Sequence, residues 1–290
     1  MTQPAHYPVM LNETVEYLNV KPDGVYLDAT AGLGGHTGPI ARRLTSGFVI
    51  ANDRDAASLE VARRNTADVS DRIRFHQGSF SELRDAVTEN GVEQVDGVVA
   101  DLGVSRYQLT TPERGFSVLA DGPLDMRMDQ SHGRSAADLV NHTAEKALAD
   151  MIFQLGEERR ARKLARAIVR ARPIRSTRHL ADVVERAAPR TGKLHPATKT
   201  FMALRMAVND EPGELDQFLD MAPELTKPQG RIVCISFMSL EDRKVKEKFR
   251  TLGRESRAKV LTKHPARPSE DEVRENPASR SAKLRALEMN

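Results

Sequence analysis

The chain has 290 residues, which suits one large domain or two ordinary ones. With 39% hydrophobic and 29% charged residues it can bury a core and is not disordered throughout. Its one cysteine, Cys234, excludes a disulfide framework or a cysteine zinc cluster. No apolar run is long enough to span a bilayer and no secretory signal is visible, so a soluble, cytoplasmic protein without membrane contact is expected.

Strands and helices alternate through the N-terminal third. Val25–Asp28 reads as a strand and runs into Ala29-Thr30-Ala31-Gly32-Leu33-Gly34-Gly35-His36, followed by a helical stretch at Ile40–Leu44. A second strand, Phe48–Ala51, ends at Asn52-Asp53-Arg54-Asp55, and Ala56–Asn65 reads as a helix. A third strand, Ile73–His76, ends at Gly78-Ser79-Phe80 before a helix over Phe80–Glu89. A fourth, Val95–Ala100, stops at Asp101-Leu102-Gly103. Such alternation implies a parallel sheet covered on both faces, with a ligand crevice beyond the carboxyl ends of its strands. Asp28, Asp53, Phe80 and Asp101 all fall at those ends.

The glycine segment lets a ligand approach the backbone closely and opens a helix N-terminus. Asp28 directly before it would repel a pyrophosphate, and the spacing departs from G-x-G-x-x-G. S-adenosylmethionine has no phosphate and carries a cationic sulfonium and an ammonium, which accept a nearby carboxylate. Asp53, roughly 20 residues beyond the glycines, is placed to accept hydrogen bonds from ribose hydroxyls. The pattern favours S-adenosylmethionine over a nicotinamide dinucleotide. For Asp53 the structural alternative is an N-cap on the next helix.

The next buried strand comes late, at Arg231–Phe237 after a Pro-Gly turn, and Cys234 inside it reads as core packing. A crossover needs only a few tens of residues, so the surplus is an insert over about 107–204. It reads as helical. In Glu157–Arg172 the residues Ala161, Leu164, Ala165, Ile168 and Val169 repeat at helical spacing and Pro173 ends the pattern; Thr177–Ala188 repeats it. His195–Val208 also reads as a helix, and the tail 264–279 as extended. Residues 1–100 carry 9 basic and 14 acidic side chains, whereas 157–205 carry 14 and 4, so the insert is the most basic region. A clustered basic segment is what a nucleic-acid partner requires, although a solvated helix face has the same composition.

The chain resembles the bacterial ribosomal RNA small subunit methyltransferase H family. The matching segments run nearly end to end: His6–Glu13, Asp28–His36, Asp53–Asp55, Asp101–Ser105, Arg114–Ser117, Asp121–Asp129, Gly156–Arg159, His195–Phe201, Ser239–Arg243 and Asn276–Arg285. The resemblance implies a Rossmann-like α/β fold, that of a class I S-adenosylmethionine-dependent methyltransferase with an inserted helical domain. Residues 1–106 and 205–290 would form the methyltransferase domain and 107–204 a substrate-recognition insert. It implies methylation of the 4-amino group of a cytidine in 16S rRNA of the small ribosomal subunit, with donor contacts at Gly34, Gly35, His36, Asp53, Phe80, Asp101 and Gln108. The family usually has Ser-Ser-Pro-Gln where this chain has Ser105-Arg106-Tyr107-Gln108. It usually has His where this chain has Met238, so no catalytic role is carried over for that position.

Cytosine's exocyclic amine is a poor nucleophile because its lone pair is delocalised. The site must hold it against the methyl group and accept its hydrogens. Asp101 is the candidate acceptor; its alternative role is donor binding alone. Tyr107 and Phe116 are candidates for stacking on a flipped base. Arg159, Arg160, Lys163 and Arg166 are candidates for RNA phosphates. No metal is expected, and a homodimer is left open. Ser239–Asp242 fits a helix-capping pattern. A nicotinamide-dependent reductase and a non-catalytic RNA-binding factor are the competing readings.

Overall fold

The computed structural model describes residues 8–190, 192 and 194–290, so His6 and Tyr7 of the first matching segment lie outside the described residues. The chain divides into two compact units, one made of the residues up to Gly103 together with Gly213–Asn290, the other of Val104–Pro212. The second unit is the insert. It begins slightly before the expected 107 and runs past 204, because Thr198–Val208 is a helix whose Phe201, Ala203 and Leu204 belong to the insert's own core.

The first unit is built on a seven-stranded sheet, formed by β1 (Val25–Asp28), β2 (Phe48–Asp53), β3 (Ile73–Gln77), β4 (Val95–Asp101), β5 (Thr226–Ser236), β6 (Ala258–Val260) and β7 (Lys283–Met289). Their order is β3-β2-β1-β4-β5-β7-β6. β1 to β5 are parallel, with Val25 opposite Phe48 and Leu27 opposite Val98, while β7 is antiparallel to both β5 and β6. Successive side chains of a strand point to opposite faces, and both faces are apolar here. Leu27, Ile50, Val98, Ile232, Cys234 and Leu287 pack on one side with Leu83, Phe218 and Phe249 from helices Leu83–Thr88, Glu211–Leu225 and Ser239–Arg254. Tyr26, Val49, Val99, Val233 and Leu284 pack on the other with Leu18, Ile40 and Leu59. Burial raises the Cys234 thiol far above its ordinary range, as a core role requires.

Two expectations are corrected. The tail contains a helix, Glu270–Glu275, capped by Ser269, whose hydroxyl accepts from the Glu272 N–H, followed by a 3-10 turn at Pro277–Ser281. The N-cap of Ser239–Arg254 is Met238 and not Ser239. Glu241 accepts from the N–H groups of Phe237 and Met238, both at 3.0 Å, while Asp242 pairs instead with Lys283 and Arg285 of β7.

The insert's core gathers Phe116, Leu124, Met126, Leu148, Ile152, Leu164, Ile168, Leu180 and Val184 from helices that include Glu145–Gly156, Ala161–Arg170 and Thr177–Ala187. Among the described residues no helix is long and apolar enough to cross a membrane.

Candidate active site

Three loops leave the carboxyl ends of β1, β2 and β4 carrying acids. Asp28 ends β1 fully buried; one carboxylate oxygen accepts from the Thr37 hydroxyl at 2.6 Å and the other from the Thr30 N–H at 3.2 Å. Burial pushes Asp28 up to about 6, and these hydrogen bonds pull against that rise. The loop then turns through Gly32 and Gly34, both at positive φ. At Gly34 (φ 85°) a Cβ would lie 2.9 Å from Thr66 Cγ2, so both the conformation and the space require glycine.

Asp53 ends β2 partly exposed. Its carboxylate accepts from the Gly32 N–H at 2.7 Å and from the Asp55 N–H at 2.8 Å. Desolvation nevertheless raises it to about 6. The cap on Ala56–Asn65 is Asp55, which accepts from Ala57 and Ser58. Asp53 is therefore free of the capping role weighed for it and ties β2's end to the glycine loop.

His36 follows the glycines almost fully buried, with Nε2 3.0 Å from the Val9 carbonyl. A carbonyl only accepts, so Nε2 carries the hydrogen and Nδ1 presents a lone pair. Desolvation lowers His36 to about 4, so the ring is neutral at pH 7. Asp101 ends β4. Its N–H donates to the Thr30 hydroxyl at 2.7 Å, and its Oδ1 is buried with no hydrogen-bond partner among the described residues. Burial raises Asp101 well above the carboxylate range, and the charges of Asp28 and Glu241 raise it further. An orphaned carboxylate oxygen among other acids is an unmet demand for a hydrogen-bond donor or a positive charge.

Phe80 begins a 3-10 turn beyond β3. Its ring is partly buried against Phe218, centroids 5.1 Å apart, and its N–H donates to Glu214 at 2.8 Å. Thr30, Thr37, Glu214 and Glu241 were not expected at this site. Thr30 and Glu241 lay in segments already singled out, Thr30 beside the glycines that drew the donor reading and Glu241 between the Ser and Asp that drew the capping assignment.

Within the insert, Gln108 is buried and its side-chain oxygen accepts from the Ser105 N–H, closing the cap of helix Arg106–Thr110. Tyr107 is half-buried. Phe116 is corrected: it is 5% exposed, packed in the insert's core with the Arg114 guanidinium 5.9 Å from its ring centroid, and has no face open to a base. Of the basic candidates, Arg160 pairs with buried Glu158 and Arg166 with Glu145, while Arg159 and Lys163 are exposed and make no ion pair among the described residues. Arg162 and Arg170 join them on the exposed side, opposite Leu164, Ala165 and Ile168. Of the acids in Asp121–Asp129, Asp121 accepts from the Arg178 N–H at the start of helix Thr177–Ala187, and the other two serve the loop itself. Asp125 holds Arg127, and Asp129 accepts from Ser131 and His132, which lower it to about 2 despite partial desolvation. A groove of about 540 Å³ lies along Pro173, Arg175, Ser176, Arg178, His179 and Asp182. Among the described residues no group of three or more His, Cys, Asp or Glu is placed to hold a metal ion.

The strand order, the antiparallel β7 inserted beside β5, and acids at the ends of β1, β2 and β4 define a class I methyltransferase domain, here carrying a helical insert. The model of the MraW methylase family matches residues 3–290, and the chain belongs to that family. It is 71% identical over 284 residues to the ribosomal RNA small subunit methyltransferase H of Solibacter usitatus, covering 98% of this chain and 99% of the relative. It is 46% identical to the protein of that name from Acidobacterium capsulatum, covering 99% of each. An rRNA methylase structure from Streptococcus thermophilus covers 98% of this chain and 99% of its own, at 11% identity and a TM-score of 0.47. The protein is a methyltransferase, and S-adenosylmethionine is its methyl donor. The site fits that donor: the glycine turn admits close backbone approach, and the acids with the orphaned Asp101 oxygen favour a cation and oppose a pyrophosphate.

Proposed function

We propose that the protein methylates the 4-amino group of one cytidine in 16S rRNA, acting on the small ribosomal subunit in the cytoplasm. The observation that carries the reading is Asp101 Oδ1, buried at the end of β4 without a hydrogen-bond partner among the described residues. The 71% identity to a relative named for the small-subunit rRNA supports the choice of substrate. When bound, the donor supplies a methyl group on a positively charged sulfur. Gly34, Gly35, His36, Asp53, Phe80 and Asp101 would hold it, with Asp53 receiving the ribose hydroxyls. Gln108 serves through the loop it caps.

Asp101 then accepts a hydrogen of the cytosine amine, which turns the nitrogen lone pair toward the methyl carbon. The Asp101 carboxylate would take the proton that the nitrogen gives up when the methyl group passes to it from the donor, whose carbon–sulfur bond breaks to leave a neutral thioether. His36, neutral and held by the Val9 carbonyl, keeps the wall behind Asp101 free of positive charge. Tyr107 stacks on the base. Arg159, Arg162, Lys163 and Arg170 bind phosphates, which gives affinity without sequence choice. The test is nucleoside mass spectrometry of 16S rRNA from cells with and without the gene. Loss of a single N4-methylated cytidine is expected, and unchanged N4-methylcytidine overturns the reading.

A further inference from the structure

Asn52, next to Asp53 on β2, is 1% exposed, and its side-chain amide is fully used. The NH2 group donates to the Ala29 carbonyl at 3.3 Å and to the Gly78 carbonyl at 3.0 Å, and Oδ1 lies 2.9 Å from His76 Nδ1. Two carbonyls can be met only by the NH2, so the amide's orientation is determined, and His76 must carry its hydrogen on Nδ1. Ala29 opens the glycine loop after β1, and Gly78 opens the Phe80 turn after β3. The backbone of the same strand end repeats the connection: Ala31 N–H donates to the Asn52 carbonyl at 2.8 Å and Gly78 N–H to the Asp53 carbonyl at 3.1 Å. Gly78 also makes room for the arrangement, since a Cβ there would lie 2.7 Å from His76 Cε1.

We propose that Asn52 is a positioning residue for the methyl donor, clamping the glycine loop and the Phe80 turn at one separation through a single buried amide that His76 orients. The inference rests on the donor-site reading above. Asn52 is not in contact with the reacting atoms. It acts through Gly32–His36 on one side and Phe80 on the other, so its loss costs the donor the preorganisation of two loops. A plain packing role would instead lower stability and the active fraction, with the donor affinity of the folded molecules unchanged.

The experiment uses the full-length protein with the substitutions Asn52→Asp and His76→Phe. Asn52→Asp keeps the size and the acceptor for His76, but sets a carboxylate against two carbonyls. Donor binding is measured by calorimetry, and donor KM and kcat at saturating donor are measured on small subunits. Asn52→Asp is expected to raise the donor Kd at least about tenfold, with kcat within about twofold and the RNA KM unmoved. His76→Phe leaves both donations to carbonyls intact and is expected to raise the Kd about threefold at unchanged melting temperature, because the amide loses only its orienting partner. In the donor-free protein, amide hydrogen exchange at Ala31 and Gly78 should quicken in both variants. A donor Kd within twofold of wild type in Asn52→Asp, or, if that variant does not fold, in His76→Phe, overturns the proposal. Wild-type binding in the same calorimeter reports separately on the donor site. A wild type that binds donor but leaves cytidine unmethylated overturns the substrate reading and not this one.

Discussion

His36 Nδ1 stands 3.9 Å from Asp101 Oδ2, and the two do not form an ion pair. Burial lowers the histidine to about 4 and raises the aspartate well above the carboxylate range, so each is driven toward its neutral form. To accept an amine hydrogen, Asp101 must be ionised, and its raised pKa means that activity climbs with pH through a value above the ordinary carboxylate range. In single-turnover measurements at saturating donor, Asp101→Asn should lower the rate on the order of 100-fold or more and abolish that acid limb. RNA affinity should be little changed. A wild-type rate in the variant would remove the chemical role.

The same burial makes stability depend on pH. Asp28 is raised from 3.8 to about 6 in the folded protein, so its contribution is fully present below pH 3.8 and is lost as pH rises through about 6. Asn at this position mimics the neutral acid. Asp28→Asn should therefore stabilise the donor-free protein by about 1–3 kcal/mol more at pH 7.5 than at pH 4, as read from denaturant melts at both values. Donor affinity should fall, because a negative charge beside the cationic donor has gone. A variant with the same pH slope as wild type would show that Asp28 does not titrate in this window.

Asp53 binds the Gly32 and Asp55 N–H groups, and in the proposed reading it also receives the donor's ribose. Asp53→Ala should weaken donor binding by on the order of 1–3 kcal/mol, since a charge-assisted acceptor is removed and Gly32 is released. Calorimetry checks the value. Unchanged affinity would mean that the ribose is held elsewhere.

Much of this site was legible because strand ends punctuate a parallel sheet. Val25–Asp28 and Phe48–Asp53 are short β-branched and aromatic runs that stop at acids or glycines, and their pairing puts those stops side by side. β7 was not legible. Lys283-Leu-Arg-Ala-Leu-Glu-Met289 has the composition of a helix and becomes a strand only because β5 and β6 pair with it and Asp242 neutralises Arg285. Phe116 was misread for the opposite reason. It follows Asp101 closely in sequence, but its surroundings, Leu124 and Met126 among them, come from farther along the chain. Asn52 left no signal at all, because its partners Ala29 and Gly78 are joined to it only by folding.

The exposed side of Ala161–Arg170 should supply salt-dependent RNA affinity. Arg162, Lys163 and Arg170 project from it without ion pairs among the described residues, unlike Arg160 and Arg166. Changing these three to Glu should weaken every RNA similarly and flatten the dependence of log K on log salt by about three phosphate contacts. Donor affinity should not move. The experiment compares slopes between 50 and 200 mM salt, roughly the range over which such contacts are lost. An unaltered slope would assign this side to solvent.

The preferred substrate should be an assembled or nearly assembled small subunit and not protein-free 16S rRNA. Recognising a single base requires a splayed-out nucleotide and a shaped surface to receive it. The chain has 4 Tyr, 9 Phe and no Trp, and Phe116 is spent in the insert's core. Tyr107 alone of the two stacking candidates retains an exposed part. Tyr107 and the 58% exposed Phe153 lie on separate helices, and two such rings, each repaying roughly 1–3 kcal/mol per stacked base, are too few to offset the unstacking of several bases, so the protein is poorly equipped to open structured RNA. Phosphate contacts from the basic helix, as proposed, would not choose between sequences, which leaves presentation of the cytidine to the subunit. At matched concentration and salt, subunits should be methylated faster than naked 16S rRNA at every time point. The advantage should persist in the Arg162, Lys163 and Arg170 charge-reversal variant, because those contacts do not select the base. Equal rates on the two substrates would refute the expectation while leaving methyl transfer to cytidine intact.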